Sequence, residues 1–333
     1  MPELRRDPII GHWVIVQTER VRRPADFHRP AGPAQPGPCA FCAGEEHQTP
    51  PELLAFRSGE DPERNGADWR VRVVPSRFPA LRVEGDLGRR GHGLYDVTNG
   101  IGAHEVVIES PAHDATLASL PLPALEEVIA AWRERILDLR RDARFRSVLM
   151  VRSHRTASDG ARTHPHSVIL ATPMLPLAVS EELTQARAYF DYRERCPFCD
   201  VLYQELADGA RVVAASDHVV AFTPFAGRLP FEVWILPRQH AATFERSSEA
   251  VRHDVARVLR TVARKLERTL ADPPFTLVLH TAPAGETDSP YYHWHLELRP
   301  AVGPASGTVD QAGFNVNVMP PEDAARYLRD VAD

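Results

Sequence analysis

Two histidines stand one residue apart in Thr163-His164-Pro165-His166-Ser167-Val168-Ile169-Leu170, at the head of an apolar run. The run reads as a buried strand. Side chains alternate along a strand, so the two imidazoles share one face. One can ligate a metal while the other meets a substrate. A neutral imidazole is a competent nucleophile toward phosphorus when a hydrogen bond fixes one ring nitrogen and leaves the other its lone pair. Such a site also needs cations or amide donors for the phosphate charge. Arg20, Arg23 and Arg162 offer them by type. Taken alone, a His-Pro-His more often marks a structural pair. A second pair, His293 and His295, stands in His293-Trp294-His295-Leu296-Glu297-Leu298.

The chain has 4 cysteines, in two Cys-x-x-Cys pairs, Cys39/Cys42 and Cys196/Cys199. Metal ligation and redox exchange both use this spacing. Prolines and glycine precede the first pair (Pro36-Gly37-Pro38), which places it in a loop, and histidines lie downstream of both pairs; metal is the better reading. A closed structural zinc site takes four Cys or His ligands. The first half offers Cys39, Cys42, His113 and His164, and the second offers Cys196, Cys199, His240 and His293. Two structural Zn2+ ions are the expected cofactors. The bland alternative makes His113 and His240 ordinary surface histidines.

The elements that must position these residues recur in order. Strand-like alternation at 71–74 is followed by a strand at 104–109 and a helix with Leu125, Val128, Ile129, Trp132, Ile136 and Leu139 at helical spacing. A strand at 147–151 then leads through a polar loop to His164. In the second half, 219–222, 231–236, a helix with Val255, Val258, Leu259, Val262 and Leu266, and a strand at 275–279 lead to His293. His113 precedes His164 by 51 positions, and His240 precedes His293 by 53. The reading is α+β, two fused units related by an internal repeat, each a mostly antiparallel sheet with one long helix. The units are 1–178 and 179–333, with a helix start near Val179. Pro320-Pro321 opens a short terminal helix. Residues 8–17 read as a strand turning at Gly11, 43–70 as loop with short helical pieces, and 86–102 as loop.

The 333 residues suffice for sizeable cores, and 43% hydrophobic and 25% charged residues are ordinary for a soluble protein. The formal charge of −6, with no block of like charge, argues against a nucleic-acid partner. No run of 18 apolar residues exists, so no membrane span is expected. The N-terminus has no apolar core of a signal peptide, and the expected location is the cytoplasm. Arg20, Arg22 and Arg23 fall within four positions, which suits phosphate oxygens. A solvated loop fits that composition equally well.

The sequence resembles the galactose-1-phosphate uridylyltransferase family, a branch of the histidine-triad superfamily with two fused units. The matching segments are Arg5 to Pro8 with Gly11 to Val14, Arg20 to Pro24, Cys39 to Cys42, Arg77 to Leu81, Gly102 to His113, and His164-Pro165-His166. In the second half they are Cys196 to Cys199, Phe231 to His240, His293 to Glu297, and Pro321 to Ala325. The paired Cys-x-x-Cys motifs and His-Trp-His-Leu-Glu are most similar to the branch that includes the plant ADP-glucose phosphorylase. The resemblance implies ping-pong transfer of a nucleoside monophosphate between a nucleotide sugar and a sugar 1-phosphate or phosphate, through a covalent nucleotidyl-histidine. It implies His166 as nucleophile, and His164, Cys39, Cys42 and His113 as zinc ligands. It also implies Arg20 and Arg23 as phosphate contacts, Arg77 and Phe78 at the substrate with Phe78 near the base, and a homodimer. His295-Leu296-Glu297 matches family positions that are not nucleophiles.

Some positions depart from the family pattern. Val168 stands where the motif carries a glutamine that donates hydrogen bonds to the phosphate, and Ala161-Arg162 replaces small residues. Ser153 and Ser76 stand where asparagines are usual. Valine cannot donate, and one lost donor costs on the order of 10²-fold in rate. Arg162 is the candidate replacement. Two alternatives follow: a nucleotide-sugar hydrolase of the same fold, and a non-catalytic nucleotide-binding homologue.

Overall fold

Strand β1 (Glu3–Arg6) turns back through Gly11, at φ +77°, onto β2 (Trp13–Val16). The structure, a computed structural model, describes residues 1–19, 22–28, 39–58, 63–155, 164–302 and 315–332. After β2 come β3 (Leu54–Arg57), β4 (Trp69–Pro75), the hairpin β5 (Arg90–His92) and β6 (Tyr95–Val97), and β7 (Ala103–Ile108). Helix α1 (Leu122–Leu139) precedes β8 (Ser147–His154) and β9 (His166–Thr172). Helices α2 (Leu177–Arg193) and α3 (Pro197–Asp208) lead into β10 (Val212–Ala215), β11 (Val219–Phe222) and β12 (Val233–Pro237). Helix α4 (Glu249–Leu270), β13 (Phe275–His280), β14 (His295–Pro300), β15 (Asn315–Asn317) and α5 (Pro321–Asp330) complete the described chain.

Ten of these strands form one antiparallel sheet in the order β10-β11-β12-β14-β13-β8-β9-β7-β4-β3. The strands of both halves thus share one sheet, joined where β8 pairs with β13. Residue alternation sorts its two faces. Val71, Val73, Val107, Ile169, Leu277, Leu296, Val219 and Ile235 pack in one core with α1 and α4. The intervening residues of β11 and β12, Val220, Phe222, Trp234 and Leu236, pack in a second core with Ala186 of α2 and Phe198 and Leu202 of α3. On the first-half strands that second face carries a smaller group, Val74, Val106 and Ile108 with Phe41. Helices therefore cap the second face in one half and leave it to a loop in the other.

Both long helices bury the stripes read from the sequence, Leu125 to Leu139 and Val255 to Leu266. Ser248 caps α4 by accepting from the Val251 amide. A small sheet, β1-β2-β15, brings the first strands to the last. Buried Arg5 pairs with Glu322 of α5 at 2.9 Å. Among the described residues no helix is long and apolar enough to cross a membrane.

Several local expectations are corrected. The first strand begins at Glu3, not at 8; Pro8 to Gly11 form the turn. Strand β3 lies inside 43–70 and the hairpin β5–β6 inside 86–102. Both are short and lack alternating apolar runs. Helix α3 opens on Cys196-Pro197, with proline in the first turn and Gly209, at φ +71°, closing it. The second cysteine pair thus sits at a helix start, an element the sequence reading did not assign.

Candidate active site

Strand β9 starts at His166, paired with Ile108 of β7, and its neighbour β8 places Arg152 opposite Ser167. Ser167 points to the helix layer, where its Oγ accepts from the Trp132 indole at 2.8 Å. His166 therefore points to the opposite face. Its Nδ1 lies 2.8 Å from the His164 carbonyl. A carbonyl only accepts, so Nδ1 carries the proton and Nε2 keeps its lone pair. The Phe41 ring packs 5.4 Å from the imidazole. His166 is 8% exposed, so the ring is held while one edge meets solvent. Two residues along the same face, half-buried Val168 pairs with Val106 and Val151. Among the described residues these three valine side chains offer no hydrogen-bond donor.

Beside it the structure brings together Cys39, Cys42, His113 and His164, whose ligand atoms all lie within 4.8 Å of one another. Cys42 Sγ is 3.5 Å from His113 Nδ1 and 3.7 Å from His164 Nδ1, and the two Nδ1 atoms are 3.3 Å apart. A tetrahedral zinc bound by thiolate and imidazole has ligand edges of roughly 3.3–3.8 Å. His164 Nε2 donates to the Ser110 carbonyl at 2.7 Å, turning Nδ1 inward as a lone-pair donor. Burial holds the His164 imidazole down to about 4, the neutral form a metal requires.

Cys196, Cys199, His240 and His293 form a second such group. Cys199 Sγ lies 3.4 Å from His240 Nδ1 and 3.6 Å from His293 Nδ1. Here too the Nε2 atoms bond carbonyls, His240 to Ser289 and His293 to Pro237, both at 3.1 Å. The Cys196 thiol and both imidazoles hold Cys199 down to about 3 despite its burial, so it is a thiolate. The Cys196 thiol, hydrogen-bonded to Cys199 and buried, is pushed up. The donor set of each group fits zinc.

His295 repeats the His166 bond, with Nδ1 3.0 Å from the His293 carbonyl. Its surroundings differ. It is 0% exposed, with Trp234 stacked at 5.2 Å and His280 at 4.5 Å, and burial pushes its pKa down to about 3. No substrate reaches it. A third group, Glu182, His280, His295 and Glu297, meets here, fully buried. Glu182 accepts from Tyr292 at 3.0 Å, and Glu297 pairs with Arg228 and Arg299. Two carboxylates and two imidazoles suit a divalent cation. This group escaped the sequence reading because Glu182 comes from α2, far from β13 and β14. The signal available was a carboxylate inside the apolar run Leu296-Glu297-Leu298.

The remaining site candidates are spread along the sheet. Arg77 and Phe78 follow β4, whose last residue Pro75 pairs with Glu105, three positions before Ile108. They therefore lie roughly 10–15 Å along the strands from His166, and Phe78 is 74% exposed under the Arg77 guanidinium at 5.7 Å. Arg23 precedes a 3₁₀ turn, Pro24–Phe27, and its amide donates to Asp26 at 2.8 Å. That turn packs Phe27 on Phe231 at 5.6 Å, and His28 Nε2 lies 3.5 Å from the Thr269 carbonyl at the end of α4. At the same helix end Asp272 pairs with both His154 and Arg155, the last described residues before the segment leading to His164. No contact joins Arg23 to His166 among the described residues. Arg20 and Arg162 lie outside the described residues.

Comparison with known proteins gives the family. Residues 1–176 match the family described as galactose-1-phosphate uridyl transferase, N-terminal domain, and residues 182–302 match its C-terminal domain. The chain is 31% identical to ADP-glucose phosphorylase of Arabidopsis thaliana over 99% of its length and 93% of the relative's. It is 26% identical to galactose-1-phosphate uridylyltransferase of Thermotoga maritima, covering 99% and 98%. A crystal structure of ADP-glucose phosphorylase from Arabidopsis thaliana with bound ADP-glucose superposes with TM-score 0.82 at 30% identity, covering all of both chains.

Proposed function

The chain belongs to the galactose-1-phosphate uridyl transferase family and is an enzyme of the nucleotidyltransferase kind; from that premise we propose that it moves a nucleoside monophosphate from a nucleotide sugar to phosphate or a sugar 1-phosphate through His166. The observation that carries this reading is the His166 Nδ1 bond to the His164 carbonyl, which presents Nε2 on the sheet face left uncapped by helices. Nε2 attacks the α-phosphorus. A P–N bond forms, the P–O bond to the leaving sugar 1-phosphate breaks, and its electron pair departs on that phosphate. An oxygen of the acceptor phosphate then attacks the same phosphorus and the P–N bond breaks, restoring the neutral imidazole. Arg20, Arg23 and Arg162 are the proposed phosphate contacts. Arg77 and Phe78 are the proposed nucleoside contacts, a reading supported by their separation from His166, which a nucleotide can span.

Zinc in the Cys39–Cys42–His113–His164 group supplies no redox chemistry. Held by these four residues, it would tie the Cys39 loop, and with it Phe41, to the strand carrying His166. Cys196, Cys199, His240 and His293 would hold a second zinc that ties the start of α3 to the segments flanking β12 and β14. The two units, 1–178 and 179–333, are read as repeats of one fold, with the same hydrogen bond at His166 and His295 but access at only one. The reading includes a homodimer working in the cytoplasm, where cysteines stay reduced for metal.

One observation favours a second reading. Val168 leaves the site without a donor at that position, which suits a hydrolase or a nucleotide-binding protein without transfer. Steady-state kinetics with ADP-glucose or UDP-glucose and varied phosphate decide between them. Transfer through His166 predicts parallel double-reciprocal lines and no turnover in His166→Ala. Sugar 1-phosphate release independent of added phosphate would support hydrolysis.

A further inference from the structure

We infer that a second anion site, for a phosphate monoester, lies between the β5–β6 hairpin and the start of α2. A cavity of about 850 Å³ opens there, lined by Arg89, Arg90 and Arg146 against one carboxylate, Asp96. The chain as a whole carries −6, so three arginines around one cavity do not follow from a basic surface. Among the described residues Arg89 and Arg146 have no ion pair, and Arg90 bonds only neutral oxygens, the Gly88 carbonyl at 3.0 Å and Asn99 Oδ1 at 3.1 Å. Guanidinium groups gathered without a counter-charge repel one another, and an anion relieves that cost. Ser180 of α2 also lines the cavity, and the Pro176 cap of that 17-residue helix supplies no side-chain acceptor to its first amides.

The rim is held before any ligand arrives. The Asn99 amide donates to Leu87 O at 2.7 Å, Thr98 Oγ1 donates to the same carbonyl at 2.6 Å, and Asn99 Nδ2 donates to Asp86 O at 2.8 Å. Gly88 adopts φ +52°, and a Cβ there would lie 2.5 Å from Asn99 Nδ2, so the turn that sets Arg89 and Arg90 needs glycine. Arg146 is anchored through its backbone to Thr172 O and the Ala284 amide. Leu87, Val97 and Met174 give the wall an apolar part, beside the polar Thr98. Arginine forks match phosphate oxygens bidentately, and the apolar wall accommodates the organic part of an ester.

This place is separate from His166. Strand β9 runs from His166 to Thr172, and Met174 just beyond it lines the cavity; the separation along the strand is roughly 20 Å. The inference does not depend on the chemistry assigned to His166.

Calorimetric titration of the full chain with inorganic phosphate, glucose 1-phosphate and AMP tests it, comparing wild type with Arg89→Ala/Arg146→Ala. Both side chains are exposed, so the double variant is expected to keep its melting temperature. The expected result is loss of one bound anion per chain, or at least about tenfold weaker binding of it, as removal of charge-assisted hydrogen bonds implies. A difference with inorganic phosphate assigns recognition to the phosphate alone. A difference confined to the esters shows that the apolar wall takes part. Superimposable isotherms for all three ligands would overturn the inference, whether or not His166 forms an adduct.

Discussion

At His166 one hydrogen bond decides which ring nitrogen keeps the lone pair for the proposed attack. His295 makes the same bond and is sealed, so accessibility separates the two histidines, not local sequence. The weak point is Val168, an apolar side chain where the phosphate charge needs a donor. If Arg162 supplies that charge, Arg162→Ala lowers the transfer rate on the order of 10²-fold with an unchanged melting temperature; a rate equal to wild type in a stopped assay would remove Arg162 from the account. The cysteines and histidines were legible because each Cys-x-x-Cys is local and the partner histidines recur at like distances. The Glu182–His280–His295–Glu297 group was not, since its members come from α2, β13 and β14 and share no short motif.

Between elements, α1 sets the phase of β9. The Trp132 indole donates to buried Ser167, which turns the neighbouring His166 away from the helices. Trp132→Phe keeps the ring but loses the donor, and should cost about 1–3 kcal/mol in chemical denaturation. A midpoint equal to wild type would show that packing alone holds the strand. On α4, Asp254 accepts from the His218 amide at 3.1 Å and its Nδ1 at 2.9 Å. Burial alone would raise its pKa, but bonds from Ser216 and His218 and the charge of Arg257 hold it at about 2, below the ordinary 3.8. A depressed carboxylate stabilises the fold above its unfolded pKa and loses that contribution as pH falls through the folded value. Asp254→Asn should therefore melt lower than wild type at pH 7, with the gap closing between about pH 4 and 2. A gap that stays constant over that range would contradict the assignment. The long helices were readable from their apolar stripes. Strand β1, charged and largely exposed, and α3, whose proline and glycine mark its ends without a long apolar run between, were not.

For the whole molecule, one ten-stranded sheet carries both histidine pairs, and helices α2 and α3 cover only the second-half part of its other face. Among the described residues that asymmetry leaves the first-half part of this face without a helix, which motif spacing could not reveal: it orders the strands but does not say which face a later helix covers. Metal analysis of the purified chain should give two zinc ions per chain at the Cys2His2 groups, and Cys42→Ser should remove one of them. A chain folded with zinc-free cysteines after gentle purification would contradict the staple role. The most direct test of the central claim is intact-protein mass spectrometry after incubation with ADP-glucose, UDP-glucose, UDP-galactose or GDP-sugars, with His166→Ala as control. The account predicts a mass gain of one nucleoside monophosphate with at least one donor, absent from the variant; nucleotide binding without an adduct or released sugar 1-phosphate, for every donor, would contradict it.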